Sequence, residues 1–256
     1  MTDQILFTID GHVATITLNR PEKYNAATPE MSKAIIAAAA ACDADPNVRC
    51  VILTGAGPKA FCAGSDITTL DDYATPWDFR NRADYCDAIH TLRTPSIAAI
   101  NGHALGGGLE TALSCDIRIA STNARFAAPE IKLGWIGGGG MAALLSQAIG
   151  QSNAALLLLT GDPIDAARAL EWGLISEVLA PDDLMPRARA LAETIASRAP
   201  IAAETAKANL HAAVSLPLDQ AMAYERDLQA ICFATDDARE GRAAFAEKRT
   251  PVFHRR

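Results

Sequence analysis

Apolar and polar residues alternate in the first part of the chain, whereas helical spacing dominates the last third. ILFTID and HVATITLN alternate around Asp10 and Gly11. This predicts two strands joined by a tight turn, because glycine accepts the positive φ that the turn requires. CVILTG and SIAAING predict short buried strands. From Pro163 onward, amphipathic helical segments follow one another around one strand-like stretch, LISEVL, which predicts a mixed α/β protein with a helical C-terminal region.

Helix-start signals mark further elements in the first two thirds. Thr28 and Pro29 are typical of an N-cap and a first helical position, and an alanine-rich run follows them. Residues 76–92 have helical spacing. ALGGGLET at residues 104–111 predicts a helix that begins within the glycine run and ends near Ser114. The chain thus repeats a coarse strand-strand-helix unit without a sequence repeat.

Composition narrows the class of protein. The chain has 256 residues, 50% of them hydrophobic, with a net charge of −7 and a pI of about 5.2. The acidic balance argues against a nucleic-acid partner, and neither a leader segment nor a membrane span is indicated, so we expect a soluble, cytoplasmic protein. Six cysteines without a CxxC pair predict reduced, buried thiols and no metal site: Cys42, Cys50, Cys62, Cys86, Cys115 and Cys232.

The glycine run at 106–108 fits neither of two nucleotide-binding motifs. A dinucleotide fingerprint starting at Gly106 requires glycine where Thr111 stands, and no glycine precedes Lys and then Ser or Thr. Two interpretations remain open. The glycines serve either close packing of a strand against a helix, or an oxyanion site built from N–H groups at a helix start. Glu110 is then either a carboxylate that complements the positive end of the helix dipole or a base beside the oxyanion.

A second loop has the same character. KAFCAGSDI, residues 59–67, follows a predicted strand and is rich in small residues. Each loop can supply one N–H group to a single oxygen. Together with INGHALGGGLETALSCDIRIAS and FAAPEIKLGWIGG, AFCAGSDI resembles the crotonase superfamily, the enoyl-CoA hydratase/isomerase family. The resemblance runs from residue 14 to residue 253.

The resemblance implies a crotonase-like spiral of repeated β-β-α units over residues 1–195. It also implies a helical region at 196–256 that forms a trimer, alone or as a dimer of trimers. The oxyanion hole would be the N–H groups of Ser65 and Gly107. By the same resemblance, Glu110 holds and deprotonates water and Glu130 protonates the α-carbon, although Glu130 at a helix start is also explained by the helix dipole.

Contacts to the coenzyme A portion of the substrate are implied in the same way. Ala60, Asp66 and Ile67 correspond to positions near adenine and pantetheine. Phe245 and Lys248 correspond to an aromatic and a lysine that reach CoA from a neighbouring subunit, and a solvated helix end explains Lys248 equally well. The chain departs from the hydratases at 137–140, where four glycines replace a proline-containing segment. We expect this loop to reshape the acyl pocket.

The implied activity is hydration of a trans-2-enoyl-CoA to a 3-hydroxyacyl-CoA, with no metal and no cofactor beyond the coenzyme A of the substrate. Other reactions on a CoA thioester stay open: enoyl-CoA isomerisation, carnitinyl-CoA-type dehydration, and hydration with cleavage of a hydroxycinnamoyl-CoA. A non-catalytic binding protein is the alternative of a different class. The acidic pI argues against RNA binding, and the two glutamates argue against a silent protein.

Overall fold

The structure is a computed structural model that describes residues 3–256, apart from the side chains of residues 71 and 72. The strands within that range are β1 (Ile5–Asp10), β2 (Val13–Leu18), β3 (Cys50–Gly55), β4 (Ala60–Cys62), β5 (Ser96–Ile100), β6 (His103–Leu105), β7 (Ile117–Ser121), β8 (Arg125–Ala127), β9 (Ile164–Asp165) and β10 (Glu177–Leu179).

The helices of the same range are α1 (Pro29–Ala44), α2 (Pro76–Arg80), α3 (Tyr85–His90), α4 (Gly107–Ser114), α5 (Met141–Thr160), α6 (Ala166–Glu171), α7 (Pro181–Ala196), α8 (Pro200–Ser215), α9 (Leu218–Ala234) and α10 (Asp236–Glu247). Short 3-10 helices span Pro21–Lys23, Ile67–Asp72 and Pro129–Leu133.

The strands form two sheets. The larger sheet has the order β1-β2-β3-β5-β7-β10, antiparallel at β1 and β2 and parallel elsewhere. The smaller sheet has the order β4-β6-β8-β9. Each of β3, β5 and β7 enters the larger sheet, and the strand that follows it enters the smaller one. Because helical segments follow each pair, the predicted spiral of β-β-α units is confirmed.

The larger sheet is covered on both faces. Val51 and Leu53 on β3 pack into the main core with α1, α3 and α4, whereas Cys50 and Ile52 face α7. All six residues of β3 are buried. A parallel strand buried on both faces carries an apolar run rather than an alternation, which explains the sequence CVILTG.

The predicted hairpin and the helix ending at Ser114 are confirmed. β1 pairs with β2 up to Asp10 and Val13, and Gly11 takes the left-handed conformation in the two-residue loop with a φ of +57°. The helical spacing at 76–92 corresponds to two short helices, α2 and α3. Four short strands and α5 were not predicted: β4, β6, β8 and β9 have two or three residues each, too few to show alternation.

Of the helices in residues 3–256, α5 is the one with the length and apolar composition of a membrane span. Gly150, with a φ of +77° and a ψ of 158°, interrupts its helical path near the middle. At ~1.5 Å rise per residue, each half covers about half of a ~30 Å hydrocarbon core.

The C-terminal helices follow α7, which ends at Ala196, next to the predicted division between 1–195 and 196–256. α8 is anchored to the core by Lys207, whose buried ammonium lies 2.9 Å from Asp116 Oδ2. α10 packs against α9. The region therefore carries three consecutive helices outside the two sheets.

Candidate active site

Two glycine loops approach each other where β4 pairs with β6. The parallel pairing of Ala60 with His103 aligns the residues that follow each strand. A Cβ at Gly64 would lie 3.1 Å from Gly107 N, and a Cβ at Gly107 would lie 3.5 Å from Ser65 N. The structure therefore brings the main chains of Ser65 and Gly107 together, as the sequence predicts.

The amide groups at this junction are unused. Within residues 3–256, neither Ser65 N–H nor Gly107 N–H donates a hydrogen bond to the main chain or to a side chain. Gly107 is the first residue of α4, where N–H groups have no intrahelical partner and the helix dipole is positive. Two such donors side by side form a site for an oxygen that gains negative charge.

Glu110 lies in the first turn of α4 and is 5% exposed. Its Oε1 accepts hydrogen bonds from Gly139 N at 2.8 Å and Met141 N at 3.2 Å. A Cβ at Gly137 would lie 2.6 Å from the same oxygen. Glycine at 137 therefore lets the loop close onto the carboxylate. The structure shows that the 137–140 loop holds Glu110, and an effect of this loop on the acyl pocket stays a prediction.

Glu130 reaches the same helix start from the 3-10 helix Pro129–Leu133. A Cβ at Gly106 would lie 2.7 Å from Glu130 Oε1 and would displace this carboxylate, and the φ of +54° at residue 106 also favours glycine. Glu130 Oε2 is buried and has no hydrogen-bond partner among the described residues. A buried polar atom without a partner marks a place where a ligand group can bind.

The two carboxyl groups hold their protons unusually strongly. Burial raises the pKa of Glu110 to about 7, and the negative charges of Glu130 and Asp84 act in the same direction, while the N–H groups of Gly139 and Met141 oppose the rise. Burial also raises the pKa of Glu130. A pKa of about 7 leaves Glu110 populated in both its protonated and its ionised form near neutral pH, so this carboxyl group can take up or give a proton.

The raised pKa of Glu110 predicts a measurable effect on stability. Between the ordinary value of 4.5 and about 7 the folded chain binds more protons than the unfolded chain, so the free energy of unfolding falls as the pH rises through this window. Glu110→Gln removes that loss and keeps an oxygen for both N–H donors. We expect the variant to gain about 2 to 3 kcal/mol over the wild type between about pH 5 and about pH 8.

Denaturant unfolding of both proteins at the two pH values measures this gain. The exposed Glu30 offers the matched control, because Glu30→Gln also removes one carboxylate from the first turn of a helix. An unchanged difference in stability between the two pH values would contradict the raised pKa.

The chain matches the profile of the family described as enoyl-CoA hydratase/isomerase over residues 8–256. The chain belongs to this family. A probable enoyl-CoA hydratase of Mycobacterium tuberculosis, echA8, is 43% identical over 257 residues and covers 99% of each chain. The (E)-benzylidenesuccinyl-CoA hydratase of Thauera aromatica is 40% identical, with 96% of each chain covered.

Solved structures agree with the family assignment. The enoyl-CoA hydratase of Bacillus anthracis, at 34% identity, superposes with a TM-score of 0.94 over 99% of this chain and 100% of that chain. The predicted resemblance to the crotonase superfamily and the predicted fold class are both confirmed.

Three of the residues with predicted CoA contacts lie on the loop of Ser65. Ala60 is buried in β4, and its carbonyl accepts a hydrogen bond from Asn25 Nδ2 at 2.7 Å. Asp66 caps the 3-10 helix Ile67–Asp72, and hydrogen bonds from Thr68, together with the Arg20 guanidinium, lower its pKa. The Ile67 side chain is 58% exposed and available for contact. The CoA contacts themselves stay predictions.

Phe245 and Lys248, the other two residues with predicted CoA contacts, do not lie on the loop of Ser65. Phe245 is 87% exposed on α10, and Lys248 ends that helix in the left-handed conformation. Within the described residues, no hydrogen bond or ion pair joins either one to the loop at 59–67. Their predicted contact with CoA from a neighbouring subunit stays a prediction.

Two groups beside the oxyanion site are not predicted by the sequence. Tyr85 begins α3, and its hydroxyl lies 3.5 Å from Ser65 Oγ. Asp84 Oδ1 caps that helix by accepting a hydrogen bond from Cys86 N at 2.9 Å, and the negative charge of Asp84 helps to raise the pKa of Glu110. Asp before a helical stretch is an N-cap signal that could have placed the start of α3. The cysteines are free thiols as predicted, five of them buried and Cys232 partly exposed.

Proposed function

We propose that the protein is an enoyl-CoA hydratase that adds water across the 2,3 double bond of a trans-2-enoyl-CoA to give a 3-hydroxyacyl-CoA. One observation carries the proposal: the buried carboxyl groups of Glu110 and Glu130 adjoin the helix start that presents the unused N–H of Gly107. Membership of a family that acts on acyl-CoA thioesters supports the substrate class. The hydratase names of the relatives support the reaction.

The proposed chemistry begins with a water molecule held by ionised Glu110. Glu110 takes a proton from the water while the water oxygen forms a bond to the β-carbon. The π electrons move toward the thioester oxygen, whose negative charge is stabilised by the N–H groups of Ser65 and Gly107. Protonated Glu130 then gives its proton to the α-carbon. The step leaves Glu110 protonated and Glu130 ionised, and proton exchange with the solvent restores both groups. The net change is the addition of one water molecule, and the step requires no metal or redox cofactor.

We also propose that the protein assembles as a trimer or a dimer of trimers. Large apolar side chains on α8 and α9 are exposed in the single chain, an arrangement typical of surfaces that bind other subunits. They include Leu210, Val214, Leu218, Met222, Ile231 and Phe233. Light scattering of the purified protein measures which of the two assemblies forms.

The test of the proposed reaction is loss of the conjugated-thioester absorbance of crotonyl-CoA on adding the protein. Rapid loss with formation of 3-hydroxybutyryl-CoA is the expected result. Binding of crotonyl-CoA without hydration would overturn the proposal. A 3-enoyl-CoA then tests isomerisation, and a carnitinyl-CoA or hydroxycinnamoyl-CoA tests the other reactions. Binding to immobilised CoA, compared with RNA, tests a non-catalytic role.

A further inference from the structure

Tyr85 is held rigidly beside the oxyanion site by the start of α3. Asp84 Oδ1 accepts the N–H of Cys86 at 2.9 Å, and Asp84 Oδ2 accepts a hydrogen bond from Arg82 Nη2 at 3.0 Å. The Tyr85 residue is only 7% exposed. A ring fixed at a capped helix start has little freedom to turn its hydroxyl elsewhere.

The hydroxyl occupies the space next to both peptide donors. A Cβ at Gly107 would lie 2.6 Å from Tyr85 Oη and 3.5 Å from Ser65 N. The phenol oxygen therefore lies against the α-carbon of Gly107, on the side that faces Ser65. This contact also explains why residue 107 has no side chain.

The hydroxyl has unused hydrogen-bonding capacity. Its partner among the described residues is Ser65 Oγ, at a distance of 3.5 Å that lies at the limit of a hydrogen bond. Buried phenols usually find a better partner than this. Burial raises the pKa of Tyr85 well above its ordinary value, so the group stays protonated and can donate.

We propose that the Tyr85 hydroxyl is a third donor to the thioester oxygen, beside the N–H groups of Ser65 and Gly107, and that Ser65 Oγ orients it. The inference rests on the proposed function, because it requires that the thioester oxygen gains negative charge during the reaction. A donor that strengthens its hydrogen bond as charge develops lowers the barrier more than it tightens substrate binding.

Tyr85→Phe tests this with the ring retained. We expect kcat for crotonyl-CoA to fall by roughly ten- to a hundredfold, at or below the roughly 10²- to 10³-fold cost of a lost oxyanion donor, because the two peptide donors are retained. KM should change by less than about threefold, because the contact is made chiefly in the transition state. Tyr224→Phe, on α9 and 38% exposed, is the matched control. Unfolding midpoints of both variants show whether the fold is retained.

A readout that does not need turnover separates this inference from the reaction. The absorbance of bound para-aminocinnamoyl-CoA moves to longer wavelength as hydrogen bonds polarise its carbonyl. Tyr85→Phe should bind this probe with a smaller shift than the wild type, and Ser65→Ala should give an intermediate shift. A smaller shift without any hydration by the wild type would support Tyr85 and overturn the hydratase proposal.

The opposite outcomes are equally distinct. Wild-type hydration with an unchanged kcat and shift in Tyr85→Phe would overturn the role of Tyr85 alone. A wild type that binds neither crotonyl-CoA nor the probe would overturn both.

Discussion

Glutamine at position 110 or at position 130 is expected to reduce the hydration of crotonyl-CoA by roughly 10²- to 10⁴-fold, the usual contribution of a general acid or base. Glu110→Gln cannot accept a proton from water, and Glu130→Gln cannot deliver one to the α-carbon. Both amides keep the size of the carboxyl group, so the glycines that pack against it keep their contacts. Initial rates of absorbance loss measure the effect.

The stability expected of Glu110→Gln strengthens this test. Because burial disfavours the ionised carboxylate, the variant should be more stable than the wild type at neutral and higher pH while being nearly inactive. An inactive variant that unfolds less readily cannot owe its inactivity to misfolding. Glu30→Gln should retain full activity. If only Glu130→Gln loses activity, hydration uses one carboxylate, and the role proposed for Glu110 is overturned.

The larger elements of the fold could be predicted because each has a regular pattern of apolar and polar residues along the sequence. β1 and β2 alternate, β3 and β5 are continuous apolar runs, and the late helices show their amphipathic spacing. The short strands of the second sheet could not be predicted, because two or three residues carry no period. α5 could not be predicted for a related reason. It is apolar nearly all round and bends at Gly150, so it lacks an amphipathic stripe.

The candidate site was partly readable from the sequence. The glycine runs indicated two loops that could form an oxyanion site, and the family resemblance assigned Ser65, Gly107, Glu110 and Glu130 to it. The structure brings these residues together. The role of the 137–140 loop could not be predicted from the sequence, because it depends on a contact with Glu110, which lies almost thirty residues away along the chain. Tyr85 was missed for the same reason, since nothing local links it to Ser65.

Gly64→Ala is expected to reduce kcat/KM for crotonyl-CoA by roughly 10²- to 10³-fold, which corresponds to losing one oxyanion donor. The new methyl group would lie 3.1 Å from Gly107 N and 3.1 Å from Leu105 O. Both are main-chain atoms on the opposing loop, so the loops must separate to admit it. Separation moves Ser65 N–H away from Gly107 N–H, which lengthens and weakens the hydrogen bonds that one oxygen accepts from both.

The backbone conformation must be separated from this steric effect. Gly64 has a φ of +93°, which an alanine adopts only with strain, so some loss of stability is expected as well. Gly173→Ala supplies the control, because Gly173 has a φ of +80° and its nearest neighbour lies at an ordinary 3.7 Å. Gly173→Ala should therefore show the loss of stability that the backbone conformation alone causes, and Gly64→Ala a larger loss, while only Gly64→Ala loses catalysis. Wild-type activity in both variants would show that the close approach of the two loops at Gly64 does not determine the rate.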